Sequence, residues 1–204
     1  MRRYLFVFVG DAPRMSHLKK FLLVWILAIM PTLSAQATLP PHAPDELWLL
    51  VDDKASTLYI YRGEQEIERF FPISLGQRGA APIRVRGDKK TPTGEFRINW
   101  VNLDSRFHIF LGLNYPTPWH ALDALNAGIM TQQEYDDYFS YLRRYGKPPQ
   151  DTVLGGDIGI HGIGKGDPSI HQRFHWTEGC VAVTNEQIER LMELVEIGTR
   201  VVIR

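Results

Sequence analysis

The stretch His175–Val183, HWTEGCVAV, holds the only cysteine of a 204-residue chain. A lone cysteine makes no internal disulfide. It is either a small apolar packing residue or a thiol kept for its reactivity. Its neighbours bear on the choice. Gly179 lets a tight turn form with no Cβ beside the sulfur, and the residues after Cys180 read as a short strand. A cysteine attacks as thiolate, and a histidine titrating near neutrality is the usual group to take its proton. The run GGDIGIHGIG, residues 155–164, reads as a strand that carries His161, with Gly162 leaving room beside the ring. Backbone amides in the Gly179–Cys180 turn would meet an acyl oxygen as it becomes negative.

The compartment of the thiol is read from the N-terminal region. From Met15 the chain runs MSHLKKFLLVWILAIMPTLSAQATLPP. Lys19 and Lys20 precede the apolar run Phe21–Met30, and Ala35 and Ala37 offer a small-residue cleavage pair. This predicts an N-terminal leader over 1–37, cut after Ala37, and an exported, periplasmic protein. An uncleaved anchor is the alternative, although the run is shorter than the ~20 residues that span a bilayer. Residues 1–14 lie upstream of the better start and do not enter the fold reading. A proline-rich linker covers 38–45, and one domain covers 46–204.

Without Arg2, Arg3, Arg14, Lys19 and Lys20, and without Asp11, the 23 basic and 23 acidic residues become 18 and 22. The mature chain is mildly acidic and has no long basic run, which argues against a nucleic-acid partner.

Periodicity gives the elements. LWLLV, TLYIYR and IERFFPISL, separated by DDKAS and RGEQ, read as a β-meander. A long polar loop, residues 76–94, follows. Pro92 and Gly94 are expected to fix a tight turn before the strand EFRINWV. Residues 117–146 change period and read as an inserted helical hairpin. Trp119, Leu122 and Leu125 mark the apolar face of its first helix, which stops near Gly128. Thr131 and Glu134 form a capping box for the second. Tyr135, Tyr138, Phe139, Leu142 and Tyr145 make its stripe, and Gly146 ends it. Thr184 and Gln187 cap a last helix with a stripe of Ile188, Leu191, Met192 and Val195, closed by Gly198. TRVVIR is a terminal strand.

Three segments in order, GDKKTPTGEF, GGDIGIHG and HWTEGCVAV, resemble the L,D-transpeptidase catalytic domain family (YkuD-type) across residues 46–204. The family motif is His-Gly, a variable loop, then Ser/Thr, any residue, Gly, Cys. His161–Gly162 and Thr177–Glu178–Gly179–Cys180 match it. The resemblance implies a mainly β fold, a mixed β-sandwich or barrel-like sheet with the helical hairpin and one C-terminal helix. It implies Cys180 as nucleophile and His161 as general base and acid. Gly162 would orient the imidazole through its carbonyl, and Gly179 would contribute to the oxyanion hole. Thr177, His175, Trp176 and Arg173 would meet substrate. The substrate would be a peptidoglycan stem peptide, attacked at diaminopimelate and passed as a thioester to an amine of another stem or of a wall-anchored lipoprotein. No cofactor or metal is implied, and membrane contact would come only through an uncleaved leader.

One position departs from the pattern. Most members carry arginine two residues after the cysteine, and here Ala182 stands there. Arg173, between the motifs, is the expected substitute for its charge. A hydrolase on the same scaffold and a non-catalytic wall-binding module are the alternative functions. A metal site built from His171, His175, Asp157 and Asp167 is a further alternative, without an HExxH motif to support it. His108 and His120 lack motif context and read as structural or exposed.

Overall fold

The computed structural model describes residues 42–204. The leader, its cleavage pair and the first residues of the linker lie outside the described residues. The meander forms as its spacing predicts: β1 (Leu47–Asp52), β2 (Thr57–Arg62) and β3 (Gln65–Phe70) pair antiparallel in sequence order. Its turns use left-handed backbone at Ser56 (φ 47°) and Gly63 (φ 57°). The indole of Trp48 donates to the Gly63 carbonyl at 2.9 Å and stacks on Tyr61 across the pair.

The long loop is less free than its composition suggests. Inside it, β4 (Ala80–Ala81) and β5 (Thr91–Pro92) pair in parallel. Pro92 therefore lies in a short strand rather than in a tight turn, and Gly94 (φ 140°) is the first residue of β6 (Gly94–Ser105). β6 pairs with β7 (His108–Leu113), and β7 pairs with β8 (Gly159–His161). β8 takes β9 (Val181–Ala182) in parallel. The terminal strand β10 (Arg200–Ile203) inserts between β1 and β6 and joins the two halves. The result is an eight-stranded mixed sheet in the order β3-β2-β1-β10-β6-β7-β8-β9. The core combines Leu49, Val51, Phe96, Ile98, Leu111, Ile160 and Val201 with residues of the helices laid on the sheet.

Those helices are α1 (Pro118–Asn126), α2 (Gln132–Tyr145), α3 (Pro168–His171) and α4 (Asn185–Leu194). The capping boxes at Thr131–Glu134 and Thr184–Gln187 are both formed, and Gly146 ends α2 in the left-handed conformation (φ 66°). The face of α1 differs from expectation. Trp119 is 74 % exposed, and Ala121, Ala124 and His120 are the buried residues. Small side chains let this helix approach closely. The His120 ring fills the space beside Gly94, where a Cβ would sit 3.2 Å from it, and stacks on Phe96. His120 Nδ1 meets the Thr117 hydroxyl at 2.7 Å and Nε2 lies 3.0 Å from the Thr93 carbonyl.

The α2 stripe packs as expected at Tyr135, Tyr138, Phe139 and Leu142, whereas Tyr145 is exposed against Tyr141. In α4 the chain is already extended at Val195, so Gly198 (φ 99°) belongs to the turn into β10 and does not close the helix. The one-turn helix α3 was not anticipated. Its Asp167 cap followed by Pro168 is a start signal, but four residues leave no periodicity to detect.

Tyr138 ties the insertion to the domain. It is 1 % exposed, and its hydroxyl donates to the Pro116 carbonyl at 2.8 Å. Tyr138→Phe leaves that buried carbonyl unpaired and should cost about 1–2 kcal/mol. Tyr138→Ala adds a cavity and should cost about 3–5 kcal/mol. Urea melts of the two variants should reproduce that order; equal losses would show that the ring contributes nothing beyond its hydroxyl.

Candidate active site

The pairing of β8 with β9 places the chemistry. Ile160 is opposite Val181 and His161 is opposite Ala182. Side chains alternate along a strand. Cys180, two residues before Ala182, therefore lies on the same face as His161 and one step along it. Both line a cavity of about 840 Å³, together with Asp157, Trp176, Thr177 and Arg84.

His161 is 1 % exposed and sits among aromatic rings. Phe107 stacks on it at 4.1 Å between centroids, with Phe110 at 5.9 Å and Trp176 edge-on at 5.8 Å. Its Nδ1 lies 2.6 Å from the Gly162 carbonyl. A carbonyl only accepts, so Nδ1 carries the proton and the lone pair of the neutral ring is on Nε2. Gly162 has a second reason to be glycine: a Cβ there would meet the Asn185 side chain at 2.6 Å and the Phe107 carbonyl at 2.8 Å. Burial pushes the His161 pKa down to about 4, against the opposing effect of the Gly162 bond, with Arg106 and His171 adding to the fall.

Cys180 is half-buried, and its Sγ donates to the Asp157 carbonyl at 3.4 Å. Burial raises its pKa to about 11. Asp157 adds to the rise, while a hydrogen bond with the Gly159 backbone, Arg84 and Arg106 oppose it. The resting pair is therefore neutral thiol and neutral imidazole near pH 7.

Thr177 staples the turn. Its hydroxyl donates to the Cys180 carbonyl at 2.7 Å and accepts from the Gly179 amide at 3.1 Å. The Gly179 N–H, expected as an oxyanion donor, is thus engaged within the turn. Gly179 itself has φ 134°, and a Cβ on it would collide with the Arg84 guanidinium and approach the Lys90 carbonyl at 2.8 Å.

The other expected substrate contacts divide. Trp176 and Thr177 line the cavity; His175 and Arg173 do not. His175 Nδ1 accepts from the Leu75 amide at 3.1 Å and pins its loop to the segment after β3. Arg173 bonds back to the Ser169 carbonyl at 3.0 Å and lies over Phe174. The cavity's guanidinium groups come instead from Arg84, Arg86 and Arg106. Sequence reading missed these; Asp157, considered there only as a metal ligand, instead has φ 52° and turns its carbonyl to the thiol. Only the Gly-Gly-Asp run hinted at unusual backbone there. Among the described residues no three His, Cys, Asp or Glu side chains gather as metal ligands. No described helix is long and apolar enough to cross a membrane.

The L,D-transpeptidase catalytic domain family, YkuD, matches residues 46–203. The chain belongs to this family. No curated protein matches it. Among solved structures, the helical cell shape determining protein Pgp2 from Campylobacter jejuni aligns with 78 % of this chain and 47 % of its own, at 20 % identity and a TM-score of 0.53. Bd1075 from Bdellovibrio bacteriovorus aligns with 78 % of this chain and 48 % of its own, at 19 % identity and a TM-score of 0.48. An L,D-transpeptidase from Mycobacterium smegmatis aligns with 78 % and 58 %, at 12 % identity and a TM-score of 0.44. The chain matches about half the length of these solved proteins. At such identities the likeness to Pgp2 is one of fold, and it agrees with the mainly β architecture of this YkuD domain.

The buried histidines are expected to make the YkuD domain acid-sensitive. Burial lowers the pKa of His161, His120 and His171, so below pH 6.5 the unfolded chain binds more protons than the folded one. Their contribution is complete above pH 6.5 and is lost as the pH falls below it, for His161 down to about 4. Between pH 7 and 4.5 the His161 share is about 2 kcal/mol. His161→Phe should reduce the loss of unfolding free energy over that range by this amount in urea titrations. An unchanged loss would place the acid sensitivity elsewhere.

Proposed function

We propose that this chain is an exported, periplasmic cysteine acyltransferase that acts on peptidoglycan stem peptides. The observation that carries the reading is the placement of His161 in β8 and Cys180 directly before the adjacent β9, on one face and around one cavity, with the imidazole held by Gly162. Family membership supports the wall substrate, and the leader read over Met15–Ala37 supports the compartment.

The chemistry proceeds through these groups. On substrate binding the thiol turns from the Asp157 carbonyl to His161 Nε2 and gives up its proton as Sγ attacks the carbonyl of the third stem residue, a diaminopimelate, at its L-centre. Because the Gly179 amide is engaged by Thr177, the Cys180 N–H is the turn's donor to the developing oxyanion. The C–N bond breaks, and His161 returns the proton to the leaving amine of the terminal D-alanine. The thioester then passes to an amine of a second stem or of a lipoprotein lysine, and Cys180 regains its proton through His161. Arg106 and Arg84 lower the cost of the thiolate, which burial alone makes high. Water as acceptor would make the same site a hydrolase.

Two measurements check this. Incubation with a defined stem tetrapeptide should give a protein adduct whose mass lacks the terminal residue, resolving into cross-linked dimer when an amine is supplied. Cys180→Ala should form no adduct and turn over at least about 10³-fold more slowly. Release of shortened stems alone would replace transfer by hydrolysis; turnover retained in Cys180→Ala would end the nucleophile assignment. Separately, iodoacetamide labelling of the resting protein should rise continuously from pH 6 to 9, since the thiol titrates only near 11. A plateau within that range would reveal a preformed thiolate–imidazolium pair.

A further inference from the structure

From the cavity we infer that Arg84 is its carboxylate-recognising residue and that the site selects acyl donors ending in a free carboxylate next to the attacked carbonyl. The inference rests on the acyl-transfer reading of the cavity and names the substrate feature it requires.

Arg84 is 5 % exposed, yet its Nε and Nη1 have no hydrogen-bond partner. The nearest carboxylate oxygen, on Asp88, is 3.9 Å from Nε, beyond hydrogen-bond length. A guanidinium carries five donors and never loses its charge in proteins. Asp88 offsets its charge from that distance, but its oxygens accept from the Val85 and Lys90 amides, so Nε and Nη1 stay without hydrogen bonds, which is costly for a buried guanidinium unless an acceptor arrives during function. The other two arginines of the cavity are differently placed. Arg86 is paired with Asp151 at 2.5 Å, and Arg106 is exposed over the Phe107 ring.

Position relates Arg84 to the chemistry. Its guanidinium occupies the space that a Cβ on Gly179 would need, directly beside the residue preceding Cys180. On its other side, a Cβ on Gly155 would lie 3.5 Å from Nη2. Gly155 of the cavity wall and Gly179, next to the lining residues Glu178 and Cys180, thus flank the guanidinium with backbone alone. Charge balance sets the class of anion. Arg84, Arg86 and Arg106 are matched in the lining by Asp151, Asp157 and Glu178. A polyanion would be repelled by those carboxylates, whereas a single carboxylate can be met by one guanidinium in the two-pronged geometry that arginine favours. In a stem peptide, the carboxylate closest to the attacked carbonyl is that of the leaving residue, three bonds beyond it. An amidated or extended donor lacks that group.

The test reads thiol alkylation rather than turnover, so its outcome is independent of whether transfer occurs. Cys180 is labelled at pH 8.5 with iodoacetate and, separately, with neutral iodoacetamide, in the wild type, Arg84→Met and Arg84→Lys. The ratio of anionic to neutral rate should fall roughly tenfold in Arg84→Met, with Arg84→Lys between the two. In the wild type, N-acetyl-D-alanine should slow iodoacetamide labelling at constant ionic strength, and its carboxamide should not. That arm needs no variant to fold. Equal slowing of both probes in Arg84→Met would make Arg84 a tuner of the thiol alone and overturn the inference. Equal protection by the acid and its amide, or protection by neither, would overturn it as well.

Discussion

The parallel contact between β8 and β9 is the constraint on which the site depends. It is only two residues long on each side, yet its register puts an imidazole and a thiol on one face of the sheet. A slip of one residue would send Cys180 to the opposite face. Several bonds outside the pair hold the register. The Ala182 amide donates to Ser74 at 2.7 Å, the Ser74 amide donates back to Ala182, and the Val183 amide donates to the His161 carbonyl at 2.9 Å. The segment after β3 thus backs the short strand, and the Thr177 amide extends that contact through Leu75. The chain places Cys180 at the last position before a strand that cannot shift without breaking all of these bonds.

The electrostatics around this pair are opposed. Burial drives both groups toward neutrality, raising the thiol and lowering the imidazole. The nearby guanidinium groups push the thiol the other way. In the proposed mechanism, a site tuned like this keeps its sulfur as thiol, hydrogen-bonded to Asp157, until substrate displaces water and brings the carbonyl to it. A standing thiolate would be open to oxidation at once. The stacked rings of Phe107 and Phe110 serve the same end, since an imidazole between apolar faces has little access to water and a fixed orientation.

Local features of this architecture were legible in the sequence. The meander alternates apolar residues between clear turn signals, the capping boxes at Thr131 and Thr184 lie at the required spacing, and the His-Gly and Thr-x-Gly-Cys motifs sit next to short apolar runs. Features decided by distant packing were not legible. The period of α1 put Trp119 on its inner face, but close approach to Gly94 favoured the alanines and His120. The motif explains Gly179 by its turn and by the bare backbone beside the sulfur, while its missing Cβ also makes room for Arg84, 95 positions away in the chain. Arg173 was nearest the motif along the chain and turned back onto its own short helix. Distance in sequence says little about which cation a folded loop delivers to a turn.

The helical insertion follows the same logic. Its aromatic stripe is packing, but its exit reaches the thiol. Gln150 leaves the hairpin with Nε2 donating to the Tyr115 carbonyl at 2.9 Å, and its Oε1 accepts from the Asp157 amide at 2.6 Å. Asp157 is thereby held in its left-handed conformation with its carbonyl turned to Sγ. Arg86 reaches the same exit through Asp151 and the Thr152 carbonyl. The long loop that carries Arg84 and the insertion that places Asp157 therefore meet on either side of Cys180. One brings the positive charge that lowers the thiol's pKa, and the other brings the carbonyl that accepts its resting hydrogen bond and the negative charge that raises it. The insertion is thus part of the site's electrostatics, and the balance at the sulfur is set by two segments that the minimal two-motif pattern does not contain.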